Sequence, residues 1–304
     1  MLLPMRIVSL VPHATELLFA LGLGDQVVGV THECDFPAAA LTRPHVTRDR
    51  LPAGLAAGEI DAAVRASTLE GESIYELDEA LLASLEPDLI VTQELCQVCA
   101  VSYSDVEAIA GRLPKPAKVI ALDPTTFGET QGDIRTVAEA TGATVAGLDL
   151  ITRTALRVDA VEAAVAGVTR RPRVAALEWF DPVFVAGHWT PQLIEMAGGF
   201  DVLGFAGEHS EESTWELLAA ASPDIVLCMP CGYDAARSHR EALQFADQLR
   251  SVGAGEVLAV NATAYFSRPG PRLVDGLELL AHVLHPDRFP APPSAADVLP
   301  VDLA

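Results

Sequence analysis

Leu81-Leu82-Ala83-Ser84-Leu85-Glu86-Pro87-Asp88-Leu89-Ile90-Val91 and Leu217-Leu218-Ala219-Ala220-Ala221-Ser222-Pro223-Asp224-Ile225-Val226-Leu227 are two versions of one pattern. Each reads as the end of an Ala/Leu helix, a Pro-Asp turn and a short, continuously apolar strand. A Cys-x-x-Cys pair follows each strand, Cys96 with Cys99 and Cys228 with Cys231. The strands that open the two halves also match, Arg6-Ile7-Val8 against Arg173-Val174-Ala175. Shared α/β grammar is one source of such likeness, and duplication of an α/β unit is the other. Duplication predicts two similar lobes facing each other.

Outward from these stretches, apolar strand runs alternate with helical ones. Arg6–Leu10, Val27–Val30, Asp88–Val91 and Val119–Leu122 read as strands, separated by helices over Ala14–Leu23, Tyr75–Leu85 and Tyr103–Arg112. A helical tract runs from Thr130 to Val168, with its continuity left open by Gly142 and Gly147. Strands then restart at Arg173–Leu177, Asp224–Leu227 and Val257–Val260, with helices over Pro191–Ala197, Trp215–Ala221, Ala242–Ser251 and Arg272–Leu284. Continuous apolar strands between helices predict parallel sheets covered on both faces. The reading is therefore α/β, with two Rossmann-like lobes: residues 1–127, a linking helical tract over 128–170, and residues 171–304. The Pro-rich tail from Pro286 reads as an extended strap.

Composition narrows the function. The chain has 304 residues, half of them hydrophobic, enough for two cores. Its formal net charge of -22 repels phosphate backbones and anionic lipids, which argues against nucleic acid or a membrane surface as partner. No apolar stretch approaches the roughly 18 residues a membrane span needs. The start, Met1 to Arg6, has none of the parts of a secretory signal, so the chain as written reads as cytoplasmic, or as exported where a leader has been removed. Five cysteines, an odd number, do not suggest a disulfide scaffold.

In open parallel sheets, ligands bind beyond the carboxyl ends of the strands. Those loops hold Pro12, His13, His32 and Gln93 in the first half, and Trp179, Phe180, His188, Trp189, Tyr265 and Arg268 in the second. These are the candidate ligand-binding residues. Flat aromatic rings suit stacking on a flat ligand, and Arg268 suits a carboxylate. His13, His188 and His209 are candidate ligands. Cys34, Cys96, Cys99, Cys228 and Cys231 follow strand ends too, and are candidate thiolates for zinc or an iron–sulfur cluster; the alternative is that they are small buried apolar residues. If the lobes face each other, the five cysteines converge on one cleft.

Enzymatic patterns fail on spacing. Gly22-Leu23-Gly24 follows a helix and not a strand, so it is no dinucleotide fingerprint, and a phosphate-binding G-x-x-x-x-G-K-S/T is absent. His32-Glu33-Cys34 with Cys96 and Cys99 lacks the His-x-Glu and Pro-Cys spacing of zinc deaminases. The chain reads as a binder and not an enzyme.

Several motifs together resemble one family. Ser9-Leu10-Val11-Pro12-His13-Ala14-Thr15-Glu16, Leu85-Glu86-Pro87-Asp88-Leu89-Ile90, Trp179-Phe180-Asp181-Pro182, Met196-Ala197-Gly198-Gly199 and Ser267-Arg268-Pro269-Gly270-Pro271-Arg272 are similar to motifs of the cobalamin and iron–siderophore substrate-binding proteins of ABC importers. The resemblance covers about Arg6 to Pro286. It implies two lobes bridged by one long, stiff helix and a small-molecule ligand in the cleft: a cobalamin or other corrinoid, haem, or a ferric chelate. It also implies an ABC permease as partner, with Glu107 and Glu216 as docking acids. The cysteine motifs and the missing leader depart from the family's pattern and suggest a subfamily. The competing function is a protein that binds a bare metal or cluster through the two Cys-x-x-Cys pairs, as sensor, chaperone or enzyme.

Overall fold

The computed structural model describes residues 4–52, 54–55, 57–70, 73–94 and 102–303. They divide into two compact units, Met1–Pro124 with Thr130–Ile151, and Thr125–Glu129 with Thr152–Ala304.

The first unit contains strands β1 (Ile7–Ser9), β2 (Val27–Gly29), β3 (Thr47–Asp49), β4 (Tyr75–Leu77), β5 (Leu89–Gln93) and β6 (Lys118–Leu122), and helices α1 (Pro12–Ala20), α2 (Ala57–Glu70), α3 (Glu79–Ser84) and α4 (Tyr103–Arg112). The sheet order is β2-β1-β5-β6, parallel throughout. Successive strand residues point to opposite faces, so this one sheet builds two cores. Ile7, Val27, Leu89 and Val91 pack with Leu17 and Leu18 of α1 and with Ile134, Val137 and Leu150. Val8 and Ile90 point the other way, onto Leu82 of α3 and Val106 and Ile109 of α4. Strands buried on both sides must be apolar throughout, which is why these runs lack the usual polar alternation.

Tyr75–Leu85, which reads as one helix in the sequence, is divided. Tyr75–Leu77 is β4, paired antiparallel with β3, and the helix starts only after Asp78, whose carboxylate accepts the Leu81 N–H at 2.8 Å. Asp78 is a helix N-cap, and a cap marks where the preceding residues stop being helical.

The central helical tract is also divided, into α5 (Phe127–Thr141) and α6 (Thr144–Val165). Gly142, with φ 75°, turns the chain between them. Gly147 is the point of closest approach: a Cβ there would sit 2.7 Å from the Ala138 Cβ. The first turns of α6 belong to the first unit and the remainder to the second.

The second unit contains β7 (Arg173–Phe180), β8 (Val183–Val185), β9 (Phe200–Asp201), β10 (Glu211–Ser213), β11 (Ile225–Cys228), β12 (Glu256–Val260) and β13 (Val298–Pro300). Its helices are α7 (Thr190–Met196), α8 (Trp215–Ala221), α9 (Ala235–Gln244), α10 (Ala246–Val252), α11 (Ala262–Tyr265) and α12 (Leu273–Leu284). Arg157 of α6 is held by Glu278 and Asp275 of α12, with Nε–Oε1 at 2.7 Å. The sheet runs β10-β8-β7-β11-β12-β13, with β9 also beside β7. The β7–β9, β7–β11 and β11–β12 pairings are parallel, and the β7–β8, β8–β10 and β12–β13 pairings are antiparallel. The expected parallel sheet is therefore mixed here. The Asp181-Pro182 turn folds β8 back on β7, a hairpin that needs no crossover helix. The Pro-rich tail caps the other edge as β13, which leaves β12 no open flank.

Candidate functional site

The repeat seen in the sequence is present in the geometry. Asp88 accepts the backbone N–H of Arg6 at 2.8 Å, and Asp224 accepts that of Arg173 at 2.9 Å. Each arginine also reaches back to the end of the preceding helix, Arg6 Nε to the Leu85 carbonyl at 2.7 Å and Arg173 Nη2 to the Ala221 carbonyl at 2.6 Å. Glu86 and Ser222, aligned in the repeat, are both left-handed, with φ 44° and 48°. β1 lies beside β5 as β7 lies beside β11. These clamps sit at the amino ends of the strands, and the carboxyl ends are left for function.

In the first unit, β1 ends at Ser9 and α1 begins at Pro12, where a missing N–H costs nothing. The Thr15 hydroxyl donates to Ser9 Oγ at 2.8 Å, fastening helix to strand. This explains the spacing of the Ser9…Thr15 motif. Cys34 is buried, its Sγ 3.0 Å from Thr15 Oγ1 and 3.1 Å from Thr31 Oγ1. His13 is buried in the first turn of α1, and Gln93 is buried at the end of β5. His32 Nδ1 lies 2.8 Å from Thr47 Oγ1, its ring 5.4 Å from that of Tyr75, whose hydroxyl donates to Glu33 at 3.2 Å.

In the second unit, the β7–β8 hairpin rises beyond the carboxyl edge and returns to it: the Ala186 N–H donates to the Ala176 carbonyl at 2.9 Å. Strand alternation splits Trp179 from Phe180. Phe180 is buried with Trp215 and Phe245 in the core, ring centroids 6.4 and 5.4 Å away. Trp179 is only partly covered and meets the Tyr233 ring edge-on at 5.6 Å. Its indole Nε1 is enclosed with no acceptor among the described residues. The Arg237 guanidinium lies 3.7 Å above the Tyr233 ring, a cation–π contact. Burial raises the Tyr233 hydroxyl above its ordinary pKa.

Trp189 is buried and donates its Nε1–H to the Phe266 carbonyl at 2.7 Å. His188 stands next to it, its ring 5.5 Å from the indole and its Nε2 3.2 Å from His209 Nδ1. Glu178 accepts from Ser210 Oγ at 2.5 Å. The residue as a whole is only partly buried, but its carboxyl group is enclosed, and that burial pushes its pKa up to about 7. Tyr265 donates to Asp297 at 2.8 Å; burial, then this contact, push its hydroxyl up to about 12. Arg268 is partly buried just before the Pro269-Gly270 turn.

The thiolate expectation separates by position. Cys96 and Cys99 lie outside the described residues. Cys228 is wholly buried in the apolar core with Val226 and Ala259, and that burial pushes its thiol well above the ordinary range. Such a thiol stays protonated and is a poor metal ligand. Cys231, three residues on, is exposed. Among the described residues, no group of three or more His, Cys, Asp or Glu is placed to hold a metal ion.

Glu178, Ser210, Tyr233 and Arg237 are site features that sequence reading did not single out. Tyr233 and Arg237 are four residues apart across the start of α9, a spacing that foreshadows their stacking. Nothing in the sequence links Glu178 to Ser210.

A mixed α/β sheet with its aromatic and imidazole side chains gathered at the carboxyl edge, preceded by a parallel α/β unit of the same repeat, defines a binding protein of the periplasmic type. The sequence profile of the Periplasmic binding protein family matches residues 7–252, and the chain belongs to that family. It is 24% identical over 300 residues to the uncharacterized ABC transporter substrate-binding lipoprotein YvrC of Bacillus subtilis, covering 94% of this chain and 82% of the relative. It is 23% identical over 286 residues to the vitamin B12-binding protein of Vibrio cholerae, covering 90% and 86%. Among solved structures, a periplasmic heme binding protein from Pseudomonas aeruginosa superposes with a TM-score of 0.73 at 20% identity, covering 99% of both chains.

Proposed function

We propose that this chain is a binding protein for a metal-bearing small molecule, a corrinoid, haem or a ferric chelate, and that it works by capture and release, not catalysis. The observation that carries the reading is the carboxyl edge of the second unit: Trp179 with a partly open ring against Tyr233, Arg237 laid over that Tyr233 ring, and His188 paired with His209 next to Trp189. A flat, apolar macrocycle with carboxylate or amide arms needs a stacking ring, a nitrogen donor and a cation. The B12-binding and heme-binding relatives support the same ligand class. The likeness to an ABC transporter substrate-binding lipoprotein supports a permease as partner, and Glu216, exposed in the first turn of α8, suits docking onto a basic surface.

The test is titration of the full chain with hemin and, separately, cyanocobalamin, followed by tryptophan fluorescence and ligand absorbance. We expect saturable one-site binding of at least one of them. Trp179→Ala should weaken it about tenfold or more with little change in the thermal midpoint, because the side chain is only partly buried. Binding of neither ligand would remove haem and corrinoids, and failure to bind a ferric siderophore in the same titration would overturn the reading; an unchanged affinity in Trp179→Ala would remove Trp179 from the site.

A further inference from the structure

We infer that Asp297, from the C-terminal strap, is a positioning residue of the ligand edge: it fixes Tyr265 as a hydrogen-bond acceptor and so favours a macrocycle with amide arms over one with carboxylate arms. This rests on the proposed ligand class and adds to it the chemistry of the ligand's periphery. The strap follows residues 7–252, which the family profile matches.

Antiparallel pairing sets the strap against the ligand edge. Val298 of β13 lies opposite Val260, the last residue of β12. The residues just before Val298 therefore stand beyond the carboxyl end of β12. There the turn Pro293–Asp297 is held from two sides: the Asn261 N–H donates to the Asp297 carbonyl at 3.2 Å, and the buried Ser294 hydroxyl donates to the Asp275 carbonyl at 3.3 Å. Farther along, the Val301 N–H donates to the Val257 carbonyl at 2.8 Å, and Arg250 Nε to that of Leu303 at 3.0 Å. The strap thus has anchors that do not pass through the Asp297 carboxylate. Tyr265 is placed as firmly. The Asn261 side-chain oxygen caps α11 by accepting the Ala264 N–H at 3.0 Å. The Thr263 N–H donates to the Tyr233 carbonyl at 3.1 Å, and the Phe266 carbonyl takes the Trp189 indole hydrogen. Tyr265 stands between these two bonds, on the same edge as Trp179, which meets the Tyr233 ring.

The Tyr265 hydroxyl donates to Asp297 Oδ2 at 2.8 Å. Burial, and then this contact, push its pKa up to about 12, so the phenol keeps its hydrogen at neutral pH. A phenol has one hydrogen to give. With that hydrogen on Asp297, the oxygen offers a ligand only its lone pairs. Asp275 adds negative charge here, and Arg272 offsets part of it. An amide arm carries N–H donors and meets that oxygen with a hydrogen bond. An ionised carboxylate arm only accepts; it brings lone pairs against lone pairs, with a second carboxylate behind them. Specificity of this kind works through the rejected partner as much as the accepted one. Tyr265 and Asp297 are both partly buried, so the pair is shielded from bulk water without being sealed from a ligand.

The experiment uses the full chain and two pairs of probes: hemin with its bis-amide, and cyanocobalamin with its monocarboxylic acid, formed by hydrolysis of one side-chain amide. Within each pair the ring and metal are the same and only the arms differ. For a ring that binds, we expect the amide form to bind about tenfold more tightly. Tyr265→Phe keeps the aromatic ring and removes the oxygen; Asp297→Asn keeps the shape and removes the charge. Each should abolish most of the preference at a thermal midpoint close to that of the wild type, because the strap keeps its other anchors. The double variant should lose no more than either single one, since both act through one hydroxyl. A preference that survives both substitutions, or a wild-type chain that takes both forms of a pair equally, overturns this inference and leaves the proposed ligand class standing. So does a loss of affinity in the variants that is equal for both forms, which is what a merely structural strap would give. Uptake of none of the four probes overturns the inference as well, and the ferric siderophore titration then decides the ligand class by itself.

Discussion

The two copies of the repeat are alike at one end and unlike at the other. At the amino ends of β1 and β7, the same clamp recurs: an aspartate on the backbone of an arginine, and that arginine on the end of the preceding helix. At the carboxyl ends little is shared. The first unit passes directly from β1 into α1 and lines the turn with Ser9, Thr15, Thr31 and Cys34. The second lengthens β7 into a hairpin and sets Glu178, Trp179, His188 and His209 along it. The fold needs only the amino-end clamp in both copies, so the carboxyl loops are free to change without cost to the sheet. The comparison puts the proposed ligand contacts in the second unit's hairpin and the scaffold in the clamps.

The sharpest way to break that contrast is at Gly187. Gly187→Ala puts a Cβ against three backbone atoms of the 208–210 segment, and backbone gives way less readily than side chains. We expect a loss of about 3 kcal/mol in urea unfolding, together with loss of ligand uptake. In the first unit, Gly22→Ala meets no atom within 4 Å and suffers only its φ of 75°, which should cost about 1 kcal/mol. Equal losses would mean that the hairpin is no tighter than an ordinary turn.

The next effect is a pH dependence carried by Glu178. Its folded-state pKa of about 7 stands above its ordinary value of 4.5, chiefly through burial. The native state thus holds a proton that the unfolded state has released between those two values. Stability from this group is whole below about pH 4.5 and falls as pH rises through about 7. The fall should be on the order of 2 kcal/mol, allowing for partial exposure of the residue. Glu178→Gln, measured by urea unfolding at a series of pH values, should flatten that segment of the curve. A slope that survives the substitution would place the titration elsewhere.

The smallest effect tests the likeness itself. Asp88 is held below the ordinary carboxylate range first by its hydrogen bond with Lys115 and then by the Arg6 N–H. Asp224 is held there first by the Arg173 N–H, with Arg170 also close. Asp88→Asn and Asp224→Asn should each cost about 1 kcal/mol at pH 7. With pKa depressed in the folded state, this contribution is present above the unfolded value and disappears as pH falls through the folded one. At acid pH, wild type and variants should therefore converge. A cost in one copy and none in the other would show that the clamp is structural in only one unit.

Much of the scaffold could be read from residue order alone. Pro87-Asp88 and Pro223-Asp224 before apolar runs located β5 and β11, and the matching Arg openings located β1 and β7. These signals are local, set by turn chemistry and by the apolarity of strands buried on both faces. Tyr75–Leu77 reads as helix because a three-residue strand has too few residues to show a period, and its partner β3 lies 28 residues away at Arg48 and Glu76. The mixed second sheet is not legible in the sequence for a related reason: Val183–Val185 and Glu211–Ser213 are short strands whose direction is fixed by pairing, not by composition.

By itself, the sequence determined an α/β chain with an internal repeat, family motifs, and reactive side chains placed after strand ends. Those properties depend on residues near one another along the chain. Only the tertiary structure decided that Trp179 lies partly open while Phe180 belongs to the core, and that Cys228 is packed as a small apolar residue. It also decided that His188 and His209, 21 residues apart, stand 3.2 Å from each other. Hydrogen bonds between distant loops, and the absence of room for a side chain at Gly187, fix those contacts, and no local pattern along the chain records them.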